Sequence, residues 1–180
     1  MIIEQISSDR LIFIPFTLDI ATSILEGQLD ALIPLGLKVD NNWPDAESIE
    51  TLPKIIVNLK LVNEPTGFES WMIVKKENMV VIGDAGFKGK PNSNGEVDLG
   101  YSIIEQEQKR GYGFETASKL VDWAFSQSEV SFITASCFIN NIGSARILEK
   151  IGMQETSRDV EMIYWSLSKD YYNALLSGKN

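Results

Sequence analysis

Apolar positions along the chain fall into two kinds of stretch: those that alternate with polar positions and those that recur every three or four residues. Alternation of Leu11 and Phe13 against Ile12 and Ile14 predicts a first strand over Arg10–Phe16, closed by Pro15. Asp19–Glu26 reads as a short helix, and the chain between Gly27 and Pro44 reads as loop-rich and irregular. From Asp45, the residues Ile49, Leu52, Ile55, Ile56 and Leu59 recur at helical spacing to about Val62. Pro53 is expected to kink or split that helix, because it has no N–H to give the preceding turn. Three strand-like runs follow, Glu69–Lys76, Met79–Phe87 and Gly95–Ile104. The short turn at Glu77-Asn78 and the polar loop Lys90–Asn94 between them predict an antiparallel meander.

In the second half, Phe114, Ala117, Leu120, Val121 and Ala124 place an amphipathic helix over Tyr112–Ser126. Ser131–Phe138 is another strand, and Asn141–Lys150 a helix stopped by Gly152. Met153–Ser157 and Val160–Leu167 pair as a hairpin, and Lys169–Leu176 is a closing helix. The pattern is an α/β mixture, a meander followed by a β–α–β–α unit, with no internal repeat. At 180 residues and 44% hydrophobic content, residues 1–180 are expected to form one globular domain.

Composition narrows the chemistry. The chain contains no histidine, which removes the commonest general base and the commonest zinc ligand; proton transfer must use carboxylates, hydroxyls, backbone or water, and no metal is expected. A net charge of −9 argues against a nucleic-acid partner and favours cationic ones. With no Lys/Arg-led apolar leader and no apolar run long enough to cross a bilayer, neither secretion nor membrane insertion is signalled and a cytoplasmic location is expected. The lone Cys137 lies in an apolar, β-rich stretch, forms no intrachain disulfide and reads as a buried thiol.

The most informative segment is Gln108-Lys109-Arg110-Gly111-Tyr112-Gly113-Phe114-Glu115-Thr116-Ala117, where a strand hands over to a helix. Two glycines at a helix start leave backbone N–H groups uncovered where the helix dipole favours an anion, so the segment reads as a pyrophosphate cradle or, more plainly, as a glycine turn before a core helix. Thr116 stands where a dinucleotide fingerprint needs its third glycine, and no Gly-Lys-Ser/Thr is present for a Walker loop. A second constellation, Asn141-Ile142-Gly143-Ser144-Ala145-Arg146-Ile147-Leu148-Glu149-Lys150-Ile151-Gly152-Met153, follows one helix and one strand later.

Together, Gln-x-x-Gly-x-Gly after a strand and Asn-x-x-Ser-x-x-x-Leu-Glu-Lys-x-Gly-Met resemble the GNAT superfamily of acetyl-CoA-dependent N-acetyltransferases, and within it the RimJ/RimL-type branch. The likeness extends to Arg10–Phe13, Gly83–Phe87 and Gly95–Ile103. It implies a mixed, mostly antiparallel sheet of about seven strands flanked by helices. That sheet opens into a V between the strand ending near Ile104 and the strand starting near Ser131. It implies direct transfer of the acetyl group of acetyl-CoA to a primary amine, either a protein N-terminus or a small molecule, and a homodimer as one available assembly.

The same resemblance assigns roles. Backbone groups of Ile103 and Ile104 would run beside the pantetheine arm, one N–H holding the thioester carbonyl. Gln108 and the amides through Lys109, Arg110, Gly111, Tyr112, Gly113 and Phe114 would take the pyrophosphate, with Lys109 and Arg110 adding charge. Asn141, with Asn140, would bond the cofactor arm. The base is Asp98, or Glu96 on the same strand face, unless both are plain surface alternation. Leu148 stands where the superfamily commonly has a proton-donating tyrosine, which makes Ser144 the nearest acid on that helix, or a helix-capping residue. Tyr112 and Tyr164 are weaker donors, better read as packing groups. Trp43 in the segment before the meander is either a lid over the amine or a packing anchor. Leu148 and the short Asp98 side chain also admit a rival reading, a CoA-binding module without transferase activity.

Overall fold

The computed structural model describes residues 5–178. Its elements in chain order are β1 (Ile6–Ser7), β2 (Leu11–Pro15), α1 (Leu18–Leu25), a 3-10 helix (Leu29–Leu35), β3 (Lys38–Val39) and α2 (Ala46–Leu59). The meander follows as β4 (Ser70–Lys75), β5 (Val80–Phe87) and β6 (Glu96–Ile103). A 3-10 turn (Glu105–Glu107) leads into α3 (Tyr112–Ser126), then β7 (Phe132–Phe138), α4 (Ile142–Lys150), β8 (Gln154–Arg158), β9 (Met162–Ser168) and α5 (Lys169–Ser177). The strands form one sheet in the order β1-β2-β4-β5-β6-β7-β9-β8, with β3 beside β5. Its pairs are antiparallel except β3–β5 and β6–β7.

Local chemistry sets the helix ends. Thr17, Asp45, Asn141 and Ser168 each accept a hydrogen bond from a backbone N–H of the first turn they precede, satisfying a donor the helix leaves free. Helix α4 ends where Gly152 takes a left-handed φ of +97°, its N–H bonding the Glu149 carbonyl while that of Met153 bonds the Leu148 carbonyl. Helix α3 lies across one face of the sheet, held by Trp123 against Phe68, Trp71 and Phe87 at ring-centroid separations of 5.1–5.9 Å. Such aromatic contacts contribute about 0.5–1.5 kcal/mol each beyond the area they bury. Helix α2 covers the opposite face, burying Leu52, Ile55, Ile56 and Leu59.

The loop-rich 27–44 stretch also holds the 3-10 helix and the two-residue β3, elements too short to leave a period in the sequence. One expectation changes: Pro53 does not split α2, which runs unbroken through it. The proline is exposed, so the carbonyl left without a partner lies on the side open to water, where hydration offsets the missing bond.

Candidate active site

Strands β6 and β7 pair only from Glu96–Phe132 to Leu99–Ala135 and then splay. The Ile104 N–H donates to the Ile82 carbonyl at 3.0 Å and the Lys88 N–H to the Asp98 carbonyl at 3.1 Å, which fixes the alternation of the β5–β6 ladder. In that alternation the N–H and C=O of Tyr101 and Ile103 point away from β5, toward the splay. Ile104 is therefore no candidate to bond the thioester, because its N–H is committed to the sheet. The Ile103 N–H faces the gap, and the neighbouring Tyr101 N–H, which the sequence reading did not single out, faces it too. The splay opens a cavity of about 740 Å³ reaching from Tyr101, Cys137, Asn141, Ser144 and Leu148 to α2.

The glycine segment is a curled loop at the mouth of α3. Lys109 and Gly111 both take left-handed φ, +60° and +86°. Gly111 caps α3 without any side-chain bond, so the first-turn N–H groups stay uncovered. Neighbours hold the loop from three sides. Arg10 on the β1–β2 turn bonds Glu115 at 2.7 Å and the Arg110 carbonyl at 3.0 Å, and stacks over the Tyr112 ring at 4.4 Å. Lys75 at the end of β4 pairs with Glu107 at 2.6 Å, a bond that raises the lysine's pKa against the opposing effect of burial. Gln108 donates its side-chain amide to the Ile103 carbonyl at 2.8 Å. Burial works against the ionised Glu115, but bonds from Ser8 and from the Arg10 backbone and guanidinium hold its carboxyl below the usual range.

Several expected roles shift in this setting. The Gln108 amide ties the loop to β6, and Arg110 shares its charge with Glu107 at 3.1 Å. Tyr112 is buried beneath Arg10 as a packing group. A Cβ on Gly113 would meet the tip of Ile147 at 3.0 Å, so that glycine also lets α3 and α4 approach closely. Asn141 caps α4, its side-chain carbonyl accepting from the Ser144 N–H at 3.0 Å; Asn140 beside it is exposed.

Ser144 lies on the cavity wall, one turn before the buried Leu148. Its hydroxyl is 3.0 Å from the Tyr101 hydroxyl, which reaches it from β6. Burial pushes the Tyr101 phenol up to about 12, the Ser144 bond only partly opposing, so it stays protonated. The structure thus supplies a phenol at α4 although α4 carries Leu148; the pairing has no local signature, since the two hydroxyls are 43 positions apart.

The carboxylates divide between two places. Asp98 and Glu96 line an adjoining hollow of about 460 Å³ with Thr134, Tyr164 and Trp165, which meets the main cavity at Lys88, Ala135 and Ser136. Lys88 holds one Asp98 oxygen at 2.6 Å, the other being buried without a partner, and Asn92 holds Glu96 at 2.7 Å. Neither lines the main cavity. Asp84 does, from the centre of β5. Tyr164 donates to Asp159 at 2.9 Å, and Trp43 is buried away from the cavity wall, an anchor and not a lid. Cys137 is buried, as expected, on the β7 wall of the cleft.

An open strand edge, a helix mouth without a cap and a polar cleft fit an extended ligand with a pyrophosphate at one end. Comparison with known proteins agrees. The model of the acetyltransferase (GNAT) domain matches residues 10–154. The chain is 37% identical over 135 residues to the uncharacterized N-acetyltransferase YjdG of Bacillus subtilis (strain 168), covering 75% of this chain and 80% of that protein. Among solved structures, ribosomal-protein-S5-alanine acetyltransferase from Vibrio fischeri superposes with a TM-score of 0.65 at 16% identity, covering 94% of this chain and 99% of that one. RimL, the ribosomal L7/L12 α-N-protein acetyltransferase solved in complex with coenzyme A, gives 0.67 at 14% identity, covering 92% and 98%. At those identities the two structures speak for the fold, while the domain match and the Bacillus relative speak for descent: the chain belongs to the GNAT family of acetyltransferases.

Proposed function

We propose that this protein transfers the acetyl group of acetyl-CoA to a primary amine within the cleft between β6 and β7, as an enzyme of the RimJ/RimL-like branch. The observation that carries the reading is the placement, around one splay, of the uncapped mouth of α3, the free edge of β6 and the Ser144–Tyr101 hydroxyl pair. The amides of Gly111 to Phe114 hold the pyrophosphate, with Lys109 and Arg110 adding positive charge and Asn141 and Asn140 flanking the arm. The Ile103 N–H, with that of Tyr101 beside it, aligns the arm along β6 and polarises the thioester carbonyl. Acetyl-CoA supplies the acetyl group and a thiolate leaving group. Ser144 gives that sulfur its proton, and the Tyr101 phenol orients the serine hydroxyl and replenishes it.

Leu148 and the short Asp98 side chain favour a binding module without turnover; against it stands the Tyr101 phenol, which reaches Ser144 from β6. The acceptor classes are protein N-terminal amines and small amines, and one experiment covers both. Thermal stabilisation by CoA and acetyl-CoA, followed on the same sample by thiol release against peptides and small amines, is expected to give stabilisation with release. Stabilisation without release from any acceptor would leave only binding.

A further inference from the structure

We infer that Asp84, on the α2 side of the sheet, is the group that docks the acceptor ammonium and takes its proton, and that Gly100 keeps the passage from there to the cleft clear. The inference rests on the transferase reading and assigns its acceptor subsite. The two sheet faces divide the labour. Tyr101 and Ser144 meet on the face that carries α3 and α4, whereas Asp84 projects from the face that α2 covers, opposite Ser102 in the β5–β6 register. Asp84 lines the main cavity, is 6% exposed and has no cation bonded to it.

A carboxylate in that position has an unusual setting. Glu47 and Lys54 from α2 and Lys88 from the end of β5 line the same cavity, and Lys88 is engaged by Asp98. Asp45, at the α2 N-cap, adds its negative charge, and the Ser48 hydroxyl beside the carboxylate favours its charged form; Met72 faces it from β4 and Ser102 from β6, neither charged. Burial first, then Glu47 and Asp45, raise its pKa to about 7 against the effect of Ser48, which suits a group that must gain a proton near neutral pH. An ammonium is the ligand that satisfies this cluster.

The second observation is independent of titration. Gly86 and Gly100 face each other in the β5–β6 register, two positions from Asp84 and Ser102 and so on the same sheet face. Glycine is required at 86, where a Cβ would collide with the Glu69 carbonyl at 2.3 Å. No described residue requires it at 100: a Cβ there meets none of their atoms within 4 Å, and Gly100 lines the cavity. A bare strand residue beside open space marks where a ligand passes close to the backbone.

In the transfer, one proton moves from the ammonium to Asp84. The freed lone pair forms the C–N bond to the acetyl carbon, and the C–S bond breaks. The sulfur takes a proton from the Ser144–Tyr101 pair, which the second proton leaving nitrogen restores. Asp84 then loses its proton to solvent, so the products are one amide, one thiol and one released proton.

The test is kcat/KM between pH 6 and 9 for acetyl transfer to 1,4-diaminobutane and to Ala- and Ser-initiated peptides, with CoA-induced thermal stabilisation of each variant as the check on fold and cofactor binding. The wild type is expected to show a limb rising through about pH 7. Asp84→Asn is expected to lose ~100-fold or more and the limb with it, while keeping its response to CoA. Asp98→Asn is expected to keep the limb. Gly100→Val decides independently should Asp84→Asn be unstable: it is expected to raise KM for the amine about 10-fold or more with CoA stabilisation intact. Asp84→Asn retaining both rate and limb, the limb vanishing in Asp98→Asn instead, or Gly100→Val leaving the amine KM untouched would overturn the assignment while sparing the transferase. A wild type that releases no thiol with any of these amines would overturn the transferase reading and this inference with it.

Discussion

The two sides of the cleft are built on different principles. On the cofactor side, the loop into α3 is fixed by partners from distant strands, Arg10 on Glu115 and Lys75 on Glu107, and by an aromatic cluster that seats α3 on the sheet. Little there remains to be organised when an anion arrives. On the acceptor side, Asp84 lies beneath α2 without a cation and beside a glycine whose Cβ would meet only open space. The first is an interface already satisfied by the protein; in the second, a buried carboxylate has no cation bonded to it among the described residues. A cofactor common to a family is met by preorganised backbone, whereas an acceptor that differs between relatives is met by a few side chains in an otherwise open hollow.

That contrast breaks most severely at Gly113. Gly113→Val pushes against Ile147 and fills the helix mouth, and it is expected to abolish thermal stabilisation by CoA altogether; an unchanged midpoint shift would remove the cradle from the account. Next come the hydroxyls. Ser144→Ala and Tyr101→Phe are each expected to lower kcat by about 10- to 100-fold with little change in KM for acetyl-CoA, the double variant losing scarcely more than the worse single one because the two act as a unit. Additive losses in steady-state rates would show separate roles.

A smaller effect should follow from loosening the cradle without touching the ligand. Arg10→Ala removes the Glu115 pair, the bond to the Arg110 carbonyl and the contact with Tyr112, but its side chain is half exposed. Roughly 1 kcal/mol of stability is at stake, with a severalfold weaker CoA affinity, read by denaturant titration and calorimetry.

A pH effect on the free protein, which leaves the cofactor side untouched, comes last. The folded-state pKa of Asp84 lies above its unfolded value, so the stability it contributes is present below about 4 and is lost as pH rises through about 7. Asp84→Asn is therefore expected to raise the melting temperature at pH 8.5, by on the order of 5 °C, and to change it little at pH 4. A shift of equal size at both pH values would mean the carboxylate is not held neutral by its surroundings.

Much of this was legible in the chain. The long elements show themselves through alternation or helical spacing, and α3 spans the residues its apolar period marks. The cradle was readable because its chemistry is local: glycines, a strand before and a helix after. What escaped depends on contacts between distant segments. Tyr101 gains its role only when α4 brings Ser144 alongside, and Asp84 becomes conspicuous only when α2 covers β5 and Ser102 pairs opposite. Asp98 and Glu96 were visible as one strand face, but not the Lys88 and Asn92 that occupy them, nor the adjoining hollow they line. The β8–β9 hairpin was readable, while its insertion with β9 inside and β8 at the edge was set by tertiary packing.

The central claim is acetyl transfer to an amine in the β6–β7 cleft, and the most direct test counts both products of one reaction. Purified protein, acetyl-CoA and the peptide and diamine acceptors should yield free thiol and acetylated amine in equal molar amounts, the acetylated nitrogen located by mass spectrometry. Stabilisation by CoA with no acetylated amine from any acceptor, or thiol release without a matching amide, would contradict it.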